Sequence, residues 1–357
     1  MKHLLTVLSI SVLFLFQLHC EIIPFSIGGQ IGFLEKNLDV IIKPEYQSII
    51  NYNADYFICK KQEAGDIFCK IISKDGVVLY KQNIPAMFIV YDDFFSYYTR
   101  EGMNLIRLPS STILYDALSF SHSESNYTAI KIDDKNSTSY QPYRFFDLLT
   151  GTMVDCRYRR AYGFFCGRAV VVFENWDYAF IDESFSIVKE FEFLDNHFSE
   201  GLIAGITKDG KTGFFDVDGK QVIEIPLRYD GLGIAATYFN GGYALVSMTD
   251  DRWRIIDRTG KNVKEISCLY ADNFCDGLSR IAVSGDGSHK YRFVRTDGTF
   301  LTSLEFDEAS SFCNGYARIV VNGIDGLLDT DGNIYLSNEL LQGKKIRHTE
   351  SEFYENK

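Results

Sequence analysis

An all-β, β-propeller-like chain of nine tandem units is the architecture specified by this 357-residue sequence. Each unit is about 37 residues long and reads as three to four short antiparallel strands. Three observations lead there. An apolar doublet followed by a polar residue recurs nine times, and a Phe-x-x-Gly mark recurs in phase with it. The stretches between them are rich in β-branched and aromatic residues and are punctuated by Asp-Gly turns.

The doublets run Phe33-Leu34-Glu35, Ile71-Ile72-Ser73, Leu105-Ile106-Arg107, Phe145-Phe146-Asp147, Phe180-Ile181-Asp182, Phe214-Phe215-Asp216, Ile255-Ile256-Asp257, Phe293-Val294-Arg295 and Leu327-Leu328-Asp329. Their third positions lie 34 to 41 residues apart, and six of the nine are acidic. The second mark reads Phe164/Gly167, Phe198/Gly201, Phe239/Gly242, Phe274/Gly277 and Phe312/Gly315, each Gly standing 14 to 18 residues before the next polar position. Two independent marks in one phase define a repeat. After each Phe-x-x-Gly comes a β-rich run such as Arg168–Phe173, then the doublet, then a third run such as Gln221–Ile223. Asp218-Gly219 and Asp331-Gly332 supply the positive φ of tight turns.

A unit this small cannot bury both its faces alone, so neighbours must stack. Propellers typically have 4 to 8 blades, which makes nine an awkward number for one ring. An open β-solenoid is the alternative, but it leaves free sheet edges that invite aggregation, and closure is preferred for that reason.

Gly213-Phe-Phe-Asp216-Val-Asp-Gly219-Lys-Gln-Val222, Ile31-Gly-Phe-Leu-Glu35 with Ile41-Ile-Lys-Pro44-Glu-Tyr46, and Phe198-Ser-Glu-Gly-Leu202 resemble WG (KWG) repeats over about residues 30–335. The Trp-Gly pair is largely replaced: Trp253 holds the family position but precedes Arg254, and Trp176 falls in an expanded turn. Unit 3 is the most eroded. The resemblance implies an interaction role and no catalysis.

Composition narrows the function classes. Hydrophobic residues make up 46% and aromatics 15%, too much for a disordered chain, and a net charge of -12 repels phosphate backbones, so no nucleic-acid partner is expected. Lys2 and the apolar stretch Leu4 to Leu18 form a signal peptide over residues 1–20, too short to span a bilayer. Leu18-His19-Cys20 approaches a lipobox, which makes Cys20 a candidate for lipidation, although His19 stands where a small residue is wanted. The expectation is an exported protein, in the periplasm or on the outer surface, touching membrane only through such an anchor. The repeat domain then covers 21–341, and 342–357 reads as a polar, mobile tail.

Candidate chemistry is sparse. No nucleophile elbow, phosphate loop, Cys-x-x-Cys or metal-spaced His pair is present, so neither an enzyme nor a cofactor is expected. Asp216 with Asp218, and Asp329 with Asp331, imitate a calcium loop, but the preferred reading is that they accept turn amides. Cys59 and Cys69 flank Ala64 symmetrically and are a candidate disulfide, but the preferred reading is that they are small apolar strand residues. Arg157, Tyr158, Arg159, Arg160 and Tyr162, with Arg168 nearby, concentrate positive charge and interface-type side chains in an acidic protein. Residues Asp133 to Pro142 read as a polar insertion loop. The leading expectation is a surface for another protein at the cell envelope; the alternative is a glycan-binding or glycan-active propeller.

Overall fold

The computed structural model describes residues 22–351 except 53–55, 74, 84–86, 92–93, 100–101, 108–110, 133–141, 232, 250–251 and 285–288. The signal segment, Cys20 and nearly all of the insertion loop lie outside the described residues.

The doublet explains the whole architecture. Successive residues of a strand point to opposite faces, so two adjacent apolar residues require a sheet covered on both sides. In every unit the doublet sits on the strand that precedes the outermost pairing, as in Gln30–Glu35, Tyr178–Ile181, Thr212–Asp216 and Ile324–Asp329. Seventeen of the eighteen doublet residues are described for burial, and all are at most 2% exposed. Interfaces form in a fixed pattern: the first doublet residue of one unit shares a buried cluster with the second of the next. Phe33 meets Ile72 in this way, Phe145 meets Ile181, and Phe180 meets Phe215. Phe214 then meets Ile256, Ile255 meets Val294, and Phe293 meets Leu328.

The series closes. Leu327 of unit 9 shares a cluster with Leu34 of unit 1, joined by Ile23, Phe25 and Leu340. Ser26 Oγ donates to Asp325 Oδ1 at 2.9 Å, the Gly28 amide donates to Asp325 Oδ2 at 2.9 Å, and Asn314 Nδ2 donates to the Ile22 carbonyl at 2.9 Å. The first strand, Ile22–Ile27, is therefore a mating surface for the last unit, and the open solenoid is set aside.

The nine units fall into eight sheets among the described residues, each an antiparallel meander in chain order. Units 3 and 4 share one seven-stranded sheet running from Met87–Tyr91 to Thr152–Met153. The join is the ten-residue strand Ser111–Phe120: its first part pairs with Gly102–Arg107 and its last with Tyr127–Ile132, Ala117 registering with both. Unit 3 lacks the turn that would end its outer strand, so the chain runs on into unit 4.

The Phe-x-x-Gly mark is a two-residue hairpin turn with both central residues at positive φ: Cys166 53° and Gly167 72°, Glu200 50° and Gly201 75°, Asp276 52° and Gly277 76°, Asn314 56° and Gly315 84°. This is the turn whose twist suits adjoining strands. The Phe packs into the core, with Phe164, Phe198, Phe239, Phe274 and Phe312 all at most 3% exposed. The acidic residue before Gly also ties units together: Glu200 accepts the Gly242 amide at 3.1 Å and Asp276 accepts that of Gly315 at 2.8 Å. In unit 4, which has no such Gly, Glu124 accepts the Cys166 amide at 3.1 Å.

The acidic third positions act as turn acceptors. Asp216 Oδ1 takes the amides of Asp218 (3.0 Å) and Lys220 (2.8 Å), and Asp329 Oδ1 those of Asp331 (3.0 Å) and Asn333 (2.8 Å). Asp182 and Asp257 do the same, and the Ser184 and Thr259 hydroxyls that also bond them hold their carboxyls below the usual range. The family glycine has its own reason. At Gly213 a Cβ would stand 1.9 Å from the Ile223 carbonyl oxygen, because the next strand bulges against it.

Two expectations need correction. Cys59 and Cys69 are both buried and free. The hairpin turns between Ala64 and Gly65, not about Ala64, so Cys59 opposes Lys70 and Cys69 opposes Lys60. That slip of one residue sends the two thiols to opposite faces, Cys59 into the junction with unit 1 and Cys69 into the junction with unit 3. Burial pushes both thiols upward in pKa. The tail is also tied down over its described part. A one-turn helix, Ser337–Leu341, buries Leu340 over the closing junction, and beyond it His348 exchanges two backbone bonds with Ile334. His348 Nε2 lies 2.7 Å from Glu339, and Glu350 bonds Ser303. No helix among the described residues is long and apolar enough to cross a membrane.

Candidate functional site

The positive cluster splits into three fates. Tyr158 is a core residue, not an anchor: it is 7% exposed, packs on Phe145 and Phe173, and exchanges backbone bonds with Tyr143. Arg168 points away to the next unit, donating from Nε to the Val217 carbonyl at 2.7 Å and lying 3.7 Å from Asp218. Arg157 is exposed. Only Arg159, Arg160 and Tyr162 converge.

They converge on a cleft of about 450 Å³ where units 4 and 5 meet. Unit 5 contributes those three residues and Trp176, while unit 4 contributes Ser121, Lys131 and Tyr143. Two strands of unit 4, Tyr127–Ile132 and Tyr143–Asp147, carry Lys131 and Tyr143 to the rim. These two residues flank the insertion loop in sequence, and Lys131 Nζ stands 5.8 Å from the Tyr143 ring centroid.

Trp176 is placed by its turn. Phe173 and Asp177 close a hairpin in which the Trp176 amide donates to the Phe173 carbonyl at 3.0 Å, and Asn175 bonds both the amide and the carboxylate of Asp177. Trp176 has φ 70°, a left-handed conformation that a bulky side chain adopts only when its surroundings impose it. The residue is left 52% exposed. One face is covered: the Arg159 guanidinium carbon lies 3.6 Å from the ring centroid, a cation–π contact, with Glu174 3.8 Å from the same guanidinium. Arg160 lies 5.8 Å from the ring and is itself exposed.

A second assembly crosses four units. His122, Phe165, His197 and Tyr238 form a row with centroid separations of 5.7, 4.6 and 3.9 Å. Burial, reinforced by His122, pushes His197 down to about 4, so its ring is a neutral aromatic plate at neutral pH. Asp195, raised by burial, accepts the Tyr238 hydroxyl at 3.4 Å. The row brings no nucleophile beside a base; it packs the units together. Among the described residues no group of His, Cys, Asp and Glu is arranged to hold a metal.

Trp176 and the unit 4 side chains were not among the sequence candidates. Trp176 carried a signal, an aromatic residue in an enlarged turn, whereas Lys131 and Tyr143 reach the cleft only because the units stack.

Taken together, the stacked antiparallel sheets and their closure define a β-propeller-like repeat protein. Residues 291–323 match the model of the WG containing repeat. That segment opens on Tyr291, at the position of the family Trp, and runs through the Phe312-to-Gly315 turn of unit 9, so the resemblance to WG repeats is shown there directly. No curated protein matches the sequence. Among solved structures the chain is similar to a eukaryotic initiation factor, with TM-score 0.51, 12% identity, and coverage of 81% of this chain and 86% of that one; this supports the fold alone. Fainter likenesses, which carry no argument, are to BamB from Moraxella catarrhalis (TM-score 0.39, 12% identity, 77% and 94% covered) and to the Cps50 (Swd1) beta-propeller domain of Myceliophteria thermophila (0.34, 12%, 62% and 88%).

Proposed function

We propose that this protein is an exported, non-enzymatic scaffold that presents the face formed by units 4 and 5 to another protein at the cell envelope. The observation that carries the reading is the cleft, where two arginines, a lysine and an exposed Trp gather in a chain of net charge -12. Arg, Tyr and Trp are the side chains that most often anchor protein interfaces. Export rests on the signal-like residues 1–20, and lipidation at Cys20 would add one weak anchor. Turn carboxylates are engaged in structural hydrogen bonds, which leaves them out of acid–base work. The uncovered face of Trp176 favours a second reading, a stacking platform for sugar.

Affinity capture from an envelope extract, with wild-type protein and an Arg157→Glu/Arg160→Glu variant of equal melting temperature, tests the first reading. A protein retained by the wild type, released by salt and lost from the variant supports it. A saturable hit on a glycan array without any protein partner would overturn it.

A further inference from the structure

We infer that the cleft between units 4 and 5 receives an extended acidic peptide segment bearing an aromatic residue, its carboxylates against Arg160 and Lys131 and its ring against Trp176. The inference rests on the interaction reading above and names the partner's chemistry. The cations of the cleft divide their labour. Arg159 is committed to the wall, stacked at 3.6 Å on Trp176 and 3.8 Å from Glu174. Arg160 is exposed and has no ion pair among the described residues, so its planar fork of donors is presented outward, a shape that matches a carboxylate. Lys131 adds a second charge across the cleft from unit 4. In a chain of net charge -12 such a gathering of cations is a local reversal, which favours an acidic ligand at this place.

The described side chains lining the cleft are of Ser, Lys, Tyr, Arg, Ala and Trp types, with no carboxylate among them to repel an acidic ligand. A volume of about 450 Å³ is within the range of roughly 300–1,000 Å³ that holds a compact ligand.

The chain contains two tryptophans, exposed Trp176 and half-buried Trp253 in unit 7, so emission reports on the cleft. The full chain is titrated with a synthetic peptide of alternating Glu and Tyr, with its Gln/Tyr counterpart, with a galacturonic acid oligomer and with inorganic phosphate. The expected result is a saturable emission change with Glu/Tyr alone, weakened at least tenfold by Arg160→Glu and by Arg160→Gln, and weakened by added salt. Binding of Glu/Tyr unchanged in both variants overturns the inference, as does binding of galacturonate or phosphate without the peptide. If no probe binds while the envelope partner is still captured, this inference fails and the interaction reading stands. If capture also fails, both fall.

Discussion

From unit 5 to unit 9 each first hairpin closes on a buried Phe and a left-handed pair, whereas units 3 and 4 lack that mark and are joined instead by continuous strand pairing through Ser111–Phe120. At the equivalent place in unit 4, Ser123 stands where the Phe belongs. Its hydroxyl accepts the Phe164 amide at 3.0 Å, and the neighbouring Glu124 still clasps Cys166. The doublets survive in both regions, with Leu105 and Phe145 as completely buried as Phe180. Buried doublets are thus sufficient to keep a unit in the ring, and the Phe-x-x-Gly turn is an accessory that erosion removes first. The same contrast locates the cleft, since it opens where the eroded region meets the regular one.

The largest test of that view compares doublets. Phe180→Ala is expected to destabilise by about 3–5 kcal/mol and Leu105→Ala by about 2–5 kcal/mol, read from urea unfolding. A loss under about 1 kcal/mol for Leu105→Ala would mean that the fused sheet, not the doublet, holds unit 3. A smaller effect belongs to the clasp. Glu200→Ala removes the acceptor for Gly242 and the partner of Arg258 at 3.1 Å, and is expected to lower stability by about 0.5–1.5 kcal/mol without changing the urea dependence. An unchanged midpoint would reduce the clasp to decoration.

The smallest effect is in acid. Asp257 is held below its usual pKa by the Thr259 hydroxyl and turn amides. A depressed carboxyl contributes stability that is complete above its unfolded value of about 3.9 and disappears as pH falls through the folded value. The gap between wild type and Asp257→Asn should therefore be constant above about pH 5 and shrink below about pH 4. Unit 3 carries Arg107 at the same position and so has no turn carboxylate of this kind. A gap that persists in acid for Asp257→Asn would show that the turn does not depend on the charge.

Much of the ring was legible because its cause is local. A doublet on alternating faces, an acidic residue two and four positions before turn amides, and a Gly in a left-handed turn are satisfied within a unit, so they recur at fixed spacing. The candidate disulfide gave way to the preferred reading of two apolar strand residues by one residue of hairpin register, the turn centring between Ala64 and Gly65 and not on Ala64. The arginine cluster was visible as a run, but a run does not say which side chains turn inward. Packing sent Tyr158 to the core and Arg168 to unit 6.

The amino-acid order alone determined the period, the strand content and the need to cover both faces of every sheet, because those follow from side-chain alternation and turn chemistry over a few residues. Tertiary structure decided closure, the fusion of units 3 and 4, and the cleft. Each of these joins residues far apart in the chain, Leu34 with Leu327 and Lys131 with Trp176. Such pairings are chosen by the shape of the whole ring, where many weak apolar contacts are satisfied together or not at all.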